Sequence, residues 1–304
     1  MTVVVEPVVS SVPEEPPVVP RRWNRAVVSR IAGVVLCSLA VILFGFLAEV
    51  TVIGRFEQSH DQTLAYATLR YDLANAIAPV GSRDYQGNQL TLGTPIALIN
   101  IPEIGLNEVV AEGTTSRVLQ SGPGHRRDTV LPGQTGTSVI MGRNATYGGP
   151  FHYIDQLQRG DTFTVTTGQG VATYRVLDVR KAGDVEPPAA TAKSGRLTLI
   201  TASGSRFVPS DLLRVDSELL SPVQPSPGGA PVAIGSDEAA QAGDPGAWPQ
   251  IVLWTQLTVL AAAAAFWARS HWGRLQAWLL GAPVLAVLGL TLADQIARLL
   301  PNLL

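Results

Sequence analysis

The sequence predicts an all-β domain, barrel or sandwich, carried on membrane-spanning helices. Two observations predict it. From about residue 91 to 220 the chain breaks into short β-branched runs separated by turn residues. Outside that stretch lie three apolar runs long enough to cross a bilayer.

The runs that read as strands are Ile96–Ile101, Ser138–Met141, Thr162–Thr167, Val171–Leu177, Arg196–Thr201 and Leu212–Val215. Each is bounded by Gly, Pro, Asp or Ser. Gly168 to Gly170 lies between two of them and reads as a hairpin turn.

The first apolar run, Ile31–Ala48, follows Arg21, Arg22, Arg25 and Arg30. At roughly 1.5 Å per residue it is about 27 Å long, close to a bilayer's hydrocarbon core. No convincing signal-cleavage site follows, so it reads as an uncleaved anchor whose arginines keep its N-terminal side in the cytoplasm. Ile251–Ala268 and Leu275–Ala293 are joined by the short basic connector Arg269–Arg274, with Trp248, Trp254, Trp267, Trp272 and Trp278 near their ends, as in a transmembrane hairpin. The expected order is a disordered cytoplasmic tail (1–30), a transmembrane helix (31–53), a helical stalk (54–90), the β domain (91–220), a flexible Pro/Gly-rich linker (221–249) and transmembrane helices at 250–268 and 275–297. The β domain is then extracytoplasmic. Within the stalk, Leu64, Ala67, Leu69, Leu73, Ala74 and Ile77 fall on roughly one side of a helix over 60–78.

A net charge of −2 with 15% charged residues argues against a nucleic-acid binder. The one cysteine, Cys37, sits inside the first apolar run, where it reads as a small buried hydrophobe. No set of His, Asp and Glu has metal-ligand spacing. Glu108, Glu112, Asp178 and Asp184 are scattered, so neither metal nor other cofactor is expected.

Six stretches, in order along residues 96–220, resemble the sortase family, most of all sortases of Gram-positive actinobacteria. They are Ile101–Leu106; Glu112–Thr114 with Leu119–His125; Leu131–Gln134 with Ser138–Gly142; Ala145–Phe151; Leu157–Asp161; and Arg196–Thr201. The resemblance implies a closed eight-stranded β-barrel on the outer face of the membrane. It also implies a chemistry: a Cys thiolate attacks a Thr–Gly bond in a sorting signal, a His protonates the leaving amine, and an Arg stabilises the oxyanion.

Carried over residue by residue, all three positions differ. Arg143 follows Gly142 where the family has His, and arginine stays protonated. Ala202 stands where the family has Cys. Asp211 stands near the family's Arg, with Arg206 and Arg214 flanking it; strand alternation from Asp211 turns Arg214 to the opposite face. Loss of one member of such a unit costs orders of magnitude in rate. The expected function is therefore a non-catalytic scaffold whose groove, Gly142, Arg143, Asn144, Thr201, Ala202, Ser203 and Arg214, holds a sorting-signal-like peptide or a surface-protein partner. An active sortase or another membrane protein is among the expected partners. The alternative is a transpeptidase or hydrolase with an unconventional nucleophile at Thr201, Ser203 or Ser205, with His125 as its base. In the resemblance His125 is structural, and His152 reads as a packing or surface residue. Arg159–Asp161 reads as a turn before a strand, and Asn144–Thr146 as a family loop rather than a glycan acceptor. Asp294 and Arg298, four apart, are placed to pair along one helix face.

Overall fold

Alternation of apolar and polar residues curls the central domain into a closed barrel. The computed structural model describes residues 42–304, apart from 85, 189–190, 192, 206, 228–231 and 272, together with residues 29, 36 and 40. Its strands are β1 (Pro95–Ile101), β2 (Leu106–Glu112), β3 (Gly124–His125), β4 (Gly136–Met141), β5 (Thr162–Thr167), β6 (Gly170–Arg180), β7 (Gly195–Ser205) and β8 (Val208–Leu219). They close in the order β1-β2-β3-β4-β7-β8-β6-β5, as the resemblance implied. Neighbours are antiparallel except β2–β3 and β4–β7, which run parallel.

In β5 the side chains of Phe163 and Val165 point inward while the alternating Thr162, Thr164 and Thr166 are less buried. Ile96, Ile99, Tyr174, Leu197, Leu199 and Val215 complete a core in which each is almost fully buried. Each such side chain contributes roughly 1.5–3 kcal/mol through burial. Phe163 faces Tyr174 across the β5–β6 pair and stacks on it at 5.6 Å. The Tyr174 hydroxyl accepts a hydrogen bond from Gly133 N at 2.7 Å.

β2 and β3 are absent from the strands predicted by pattern. β2 carries Asn107 and Glu108 near its start, which breaks its apolar run, and β3 is only two residues long. Gly105 makes the turn into β2 with φ of 64°, in the left-handed region that favours glycine.

Among the described residues the barrel is accompanied by the helices α1 (Gly54–Ala74), α2 (Ser116–Ser121), α3 (Trp248–His271) and α4 (Arg274–Ala297). α1 starts earlier and ends sooner than periodicity predicts, and it docks differently. Of the expected apolar side, Leu69 is buried, but Leu64 and Ile77 are exposed. Polar side chains make the contact instead. Gln62 accepts from Val109 N at 2.7 Å and donates to Val109 O and Ser121 O, and Gln58 donates to Glu108 at 2.8 Å. A hydrophobic-periodicity argument does not register glutamines that replace missing backbone partners.

The expected flexible linker touches the barrel at several described residues. Gln224 N donates to Gly133 O at 2.8 Å, Glu238 is buried near Arg127, and Glu238 O accepts from the Thr114 hydroxyl at 2.7 Å.

α3 and α4 are each 24 residues, about 36 Å at the usual rise, and long and apolar enough to cross a membrane. They carry Leu253, Val259, Phe266, Leu275 and Trp278 more than half exposed. A helix apolar on all sides suits lipid rather than water. Pro283 lies inside α4, as membrane helices tolerate. The Asp294–Arg298 side-chain pair does not form. Arg298 pairs with Asp244 and donates to Gln250, while Asp294 accepts from Tyr147. The tail over 1–30, apart from residue 29, and most of the first part of the anchor, 31–41, lie outside the described residues; residues 42–48 are α-helical and Glu49–Ile53 π-helical.

Glu108 is a pH-sensitive point in the α1 contact. Burial pushes its carboxyl up to about 7, against a smaller opposing effect of the Gln58 hydrogen bond. The folded state then keeps a proton that the unfolded chain releases, so this contribution is full below the ordinary value of 4.5 and lost as pH rises through about 7. Melting temperature is expected to fall between pH 5 and 8 along about that window, and Glu108→Gln should flatten this part of the slope.

Candidate functional site

The parallel pairing of β4 with β7 runs in register to Met141 opposite Ile200. The next residues of both strands therefore emerge side by side. Gly142 N donates to Ile200 O at 3.1 Å, the Thr201 hydroxyl donates to Gly142 O at 2.8 Å, and Asn144 Nδ2 donates to Ala202 O at 2.6 Å. Gly142 has to be glycine, because a Cβ there would stand 2.6 Å from the Phe151 ring.

Arg143 is fully buried. Its guanidinium donates to the Thr146 hydroxyl at 3.0 Å, to the Ser116 hydroxyl at 2.9 Å and to Ser116 O at 3.2 Å, and it lies 5.1 Å from the centre of the Tyr147 ring. No carboxylate forms a salt bridge with it among the described residues. Burial pulls its pKa down to about 10, which leaves it charged at neutral pH. Tyr147, which stacks near it, has φ of 49°, unusual for a bulky residue. Its backbone N donates to Val50 O at 3.0 Å and its hydroxyl to Asp294 at 3.2 Å, and these contacts hold the strained turn.

Ala202 is buried in an apolar cluster with Leu119, Val139, Met141, Ile200 and Leu303, against which Leu212 packs. Ala202 presents no heteroatom on its side chain. Ser203 lies beyond it, beside a cavity of about 260 Å³ that is also bordered by Asn144, His152, Asp155 and Lys181. No base hydrogen-bonds the Ser203 hydroxyl among the described residues. His152 Nδ1 donates to Asn144 Oδ1 at 2.9 Å, which ties it to the loop that holds Ala202 O. Thr201's hydroxyl is taken by Gly142 O, and Ser205 is exposed.

His125 is elsewhere and fully buried. One ring nitrogen is 2.9 Å from Glu112, and the other is 3.0 Å from Val130 O and 3.1 Å from the Thr129 hydroxyl. Both nitrogens are engaged, so His125 does not reach Ser203 as a base. Asp211 stands opposite Ser203, and Leu212 stands opposite Ala202. Backbone amides of Leu212 and Ala182 bind the Asp211 carboxylate and hold it below the usual range. Arg214 pairs opposite Ile200. Alternation thus puts Arg214 on the outer face that carries Ile200 and Ala202, and it is Asp211 that is turned away. Arg206 lies outside the described residues. The turn over Arg159–Asp161 is closed by Asp161, which accepts from Gln158 N at 2.7 Å, and the Asn144 carboxamide is occupied at both ends.

Three acidic residues that sequence spacing did not connect converge: oxygens of Glu49, Glu57 and Asp294 lie within 4.8 Å of one another and could share a cation. Burial first, then Asp294 and Asp61, pushes Glu57 above the usual carboxylate range.

The sequence has similarities to known proteins. The sortase domain family model matches residues 99–207. The chain is 28% identical over 167 residues to sortase SrtE1 of Streptomyces coelicolor, covering 52% of this chain and 46% of that protein. It is 27% identical over 88 residues to sortase D of Bacillus subtilis, covering 29% of this chain and 43% of that protein. It therefore spans less than half the length of these curated relatives. Among solved structures, sortase E of Streptomyces avermitilis is 33% identical, with 43% of this chain and 91% of that one covered and a TM-score of 0.37.

The guanidinium of Arg143 is expected to hold the loop, since lysine offers no planar fork to reach Ser116 and Thr146 together. Arg143→Lys and Arg143→Met should each lower stability by on the order of 2–4 kcal/mol, measured by thermal melting. A melting temperature unchanged in both variants would mean that the loop does not depend on this side chain.

Proposed function

The chain belongs to the sortase family, and from that premise we propose that it is a non-catalytic, membrane-anchored member that binds an extended peptide or a surface-protein partner in its groove. The observation that carries this reading is Ala202. The position where the family keeps its thiol has only a methyl group, sealed in apolar contacts. A thioester needs a nucleophilic sulfur there, and the one cysteine of the chain, Cys37, belongs to the first apolar run.

The neighbouring chemistry supports the same reading. Arg143 is a fixed cation that cannot alternate between acid and base near neutral pH. Asp211, at the position carried over from the family's Arg, has the wrong sign to stabilise an oxyanion and is turned away from Ala202, with its oxygens bound by backbone amides. What the groove retains is the apparatus for binding: an apolar floor beside backbone amides. In this proposal the N-terminal anchor and the α3–α4 hairpin place the barrel outside the cytoplasmic membrane, and the lipid-facing hairpin is available to a membrane partner such as an active sortase.

The test is to incubate the full chain in detergent with a panel of sorting-type peptides, following binding by calorimetry and peptide integrity by chromatography. Binding without cleavage is expected once the peptide is raised to roughly the millimolar range, and Ser203→Ala should leave the peptide uncleaved as well. Turnover that disappears in Ser203→Ala would instead establish an unconventional nucleophile.

A further inference from the structure

After α4 the chain turns back into the barrel. Asn302 and Leu303 are fully buried, and Leu304 nearly so. Leu303 enters the apolar cluster that contains Ala202, Leu119 and Met141. Three consecutive backbone amides receive the carbonyls of this segment. Asn144 N donates to Leu303 O at 3.0 Å, and Ala145 N and Thr146 N donate to Leu304 O at 3.3 and 3.1 Å. The Thr146 hydroxyl adds a third bond to Leu304 O at 2.8 Å, while Arg143 donates to that hydroxyl and so aims its proton at this oxygen.

The side chain of Asn302 is bound through its nitrogen alone, since Oδ1 is buried with no hydrogen-bond partner among the described residues. Its Nδ2 lies 2.6 Å from Asp237 O, 2.9 Å from Ala239 O and 3.2 Å from Thr114 O, and its backbone N donates to Ala242 O at 2.7 Å. A cage of carbonyls accepts a carboxamide N–H and rejects a carboxylate.

We propose that the groove is a binding site for an extended peptide of the pattern Asn-Leu-Leu, and that residues 302–304 occupy it in cis. This rests on the peptide-binding reading above and names the ligand chemistry: a carboxamide nitrogen in the carbonyl cage, an apolar side chain in the Ala202 cluster, and two main-chain oxygens in the amide cradle. A plug serving packing alone requires only the apolar side chain; the cage and cradle are recognition elements. The substitutions at the family's catalytic positions fit this use. The methyl of Ala202 leaves the cluster apolar for Leu303, and Arg143 is a positioning residue that orients Thr146. A tethered segment acts at an effective concentration that reaches the millimolar range, so a partner peptide in trans binds only when this segment leaves.

The test uses the full chain in detergent micelles and a fluorescein-labelled, C-terminally amidated peptide Leu-Pro-Asn-Leu-Leu, the sequence of residues 300–304. Hydrogen exchange at the amides of Asn144, Ala145 and Thr146 reports on occupancy, and fluorescence anisotropy reports on binding in trans. The wild type should show slow exchange and no saturation at micromolar peptide. Asn302→Asp, nearly isosteric, should speed exchange at the three amides and bind the peptide at least about tenfold more tightly than the wild type. Leu303→Ser should act in the same direction, so the outcome does not hang on one variant's folding. The peptide with Asp in place of Asn should bind Asn302→Asp at least about tenfold more weakly. Fast exchange already in the wild type, or equal peptide affinity in wild type and variants, overturns occupancy in cis and leaves the peptide-binding reading standing. Variants with accelerated exchange that bind neither this peptide nor any sorting-type peptide overturn both.

Discussion

Two parallel strands that end together set the geometry of the groove. β4 and β7 stay in register to Met141 and Ile200, so Gly142–Asn144 and Thr201–Ser203 are delivered to one patch although about sixty residues separate them. Three hydrogen bonds then lock the two exits to each other. Every side chain in the groove takes its position from that junction. A shift of one residue in either strand would exchange its inner and outer faces.

At such a junction the identity of a few side chains decides between chemistry and binding. A buried guanidinium cannot lose its proton near neutral pH, so it serves as a fixed donor. Here it organises Ser116 and Thr146, and through Thr146 it reaches the carbonyl of Leu304. The alanine opposite Leu212 makes the adjoining surface apolar. The linker and the residues after α4, which in sequence look like connections, meet each other where Asn302 contacts Asp237 and Ala239.

Legibility followed the range of each interaction. Local alternation made β1, β4, β5, β6 and β7 readable, and the tight turn between β5 and β6 announced itself by two glycines. The two segments of the groove were readable as motifs, but which of their neighbours share a face was not. Asp211 and Arg214 exchange faces relative to a count along the strand, since only the pairing of β7 with β8 sets the parity. Arg298 finds Asp244 rather than its helical neighbour Asp294, and α1 docks through Gln58 and Gln62 rather than an apolar stripe. The convergence of Glu49, Glu57 and Asp294, and the return of Leu303 to the barrel, arise from tertiary packing that no local pattern encodes.

The account depends most on the absence of a working nucleophile beside Arg143. Intact-mass spectrometry of the purified full chain, after treatment with sorting-type peptides bearing an electrophile in place of the scissile bond, addresses it directly. The account predicts an unchanged mass under conditions in which a thiol-bearing sortase is labelled. A stoichiometric mass increase that maps to Thr201, Ser203 or Ser205 would contradict it.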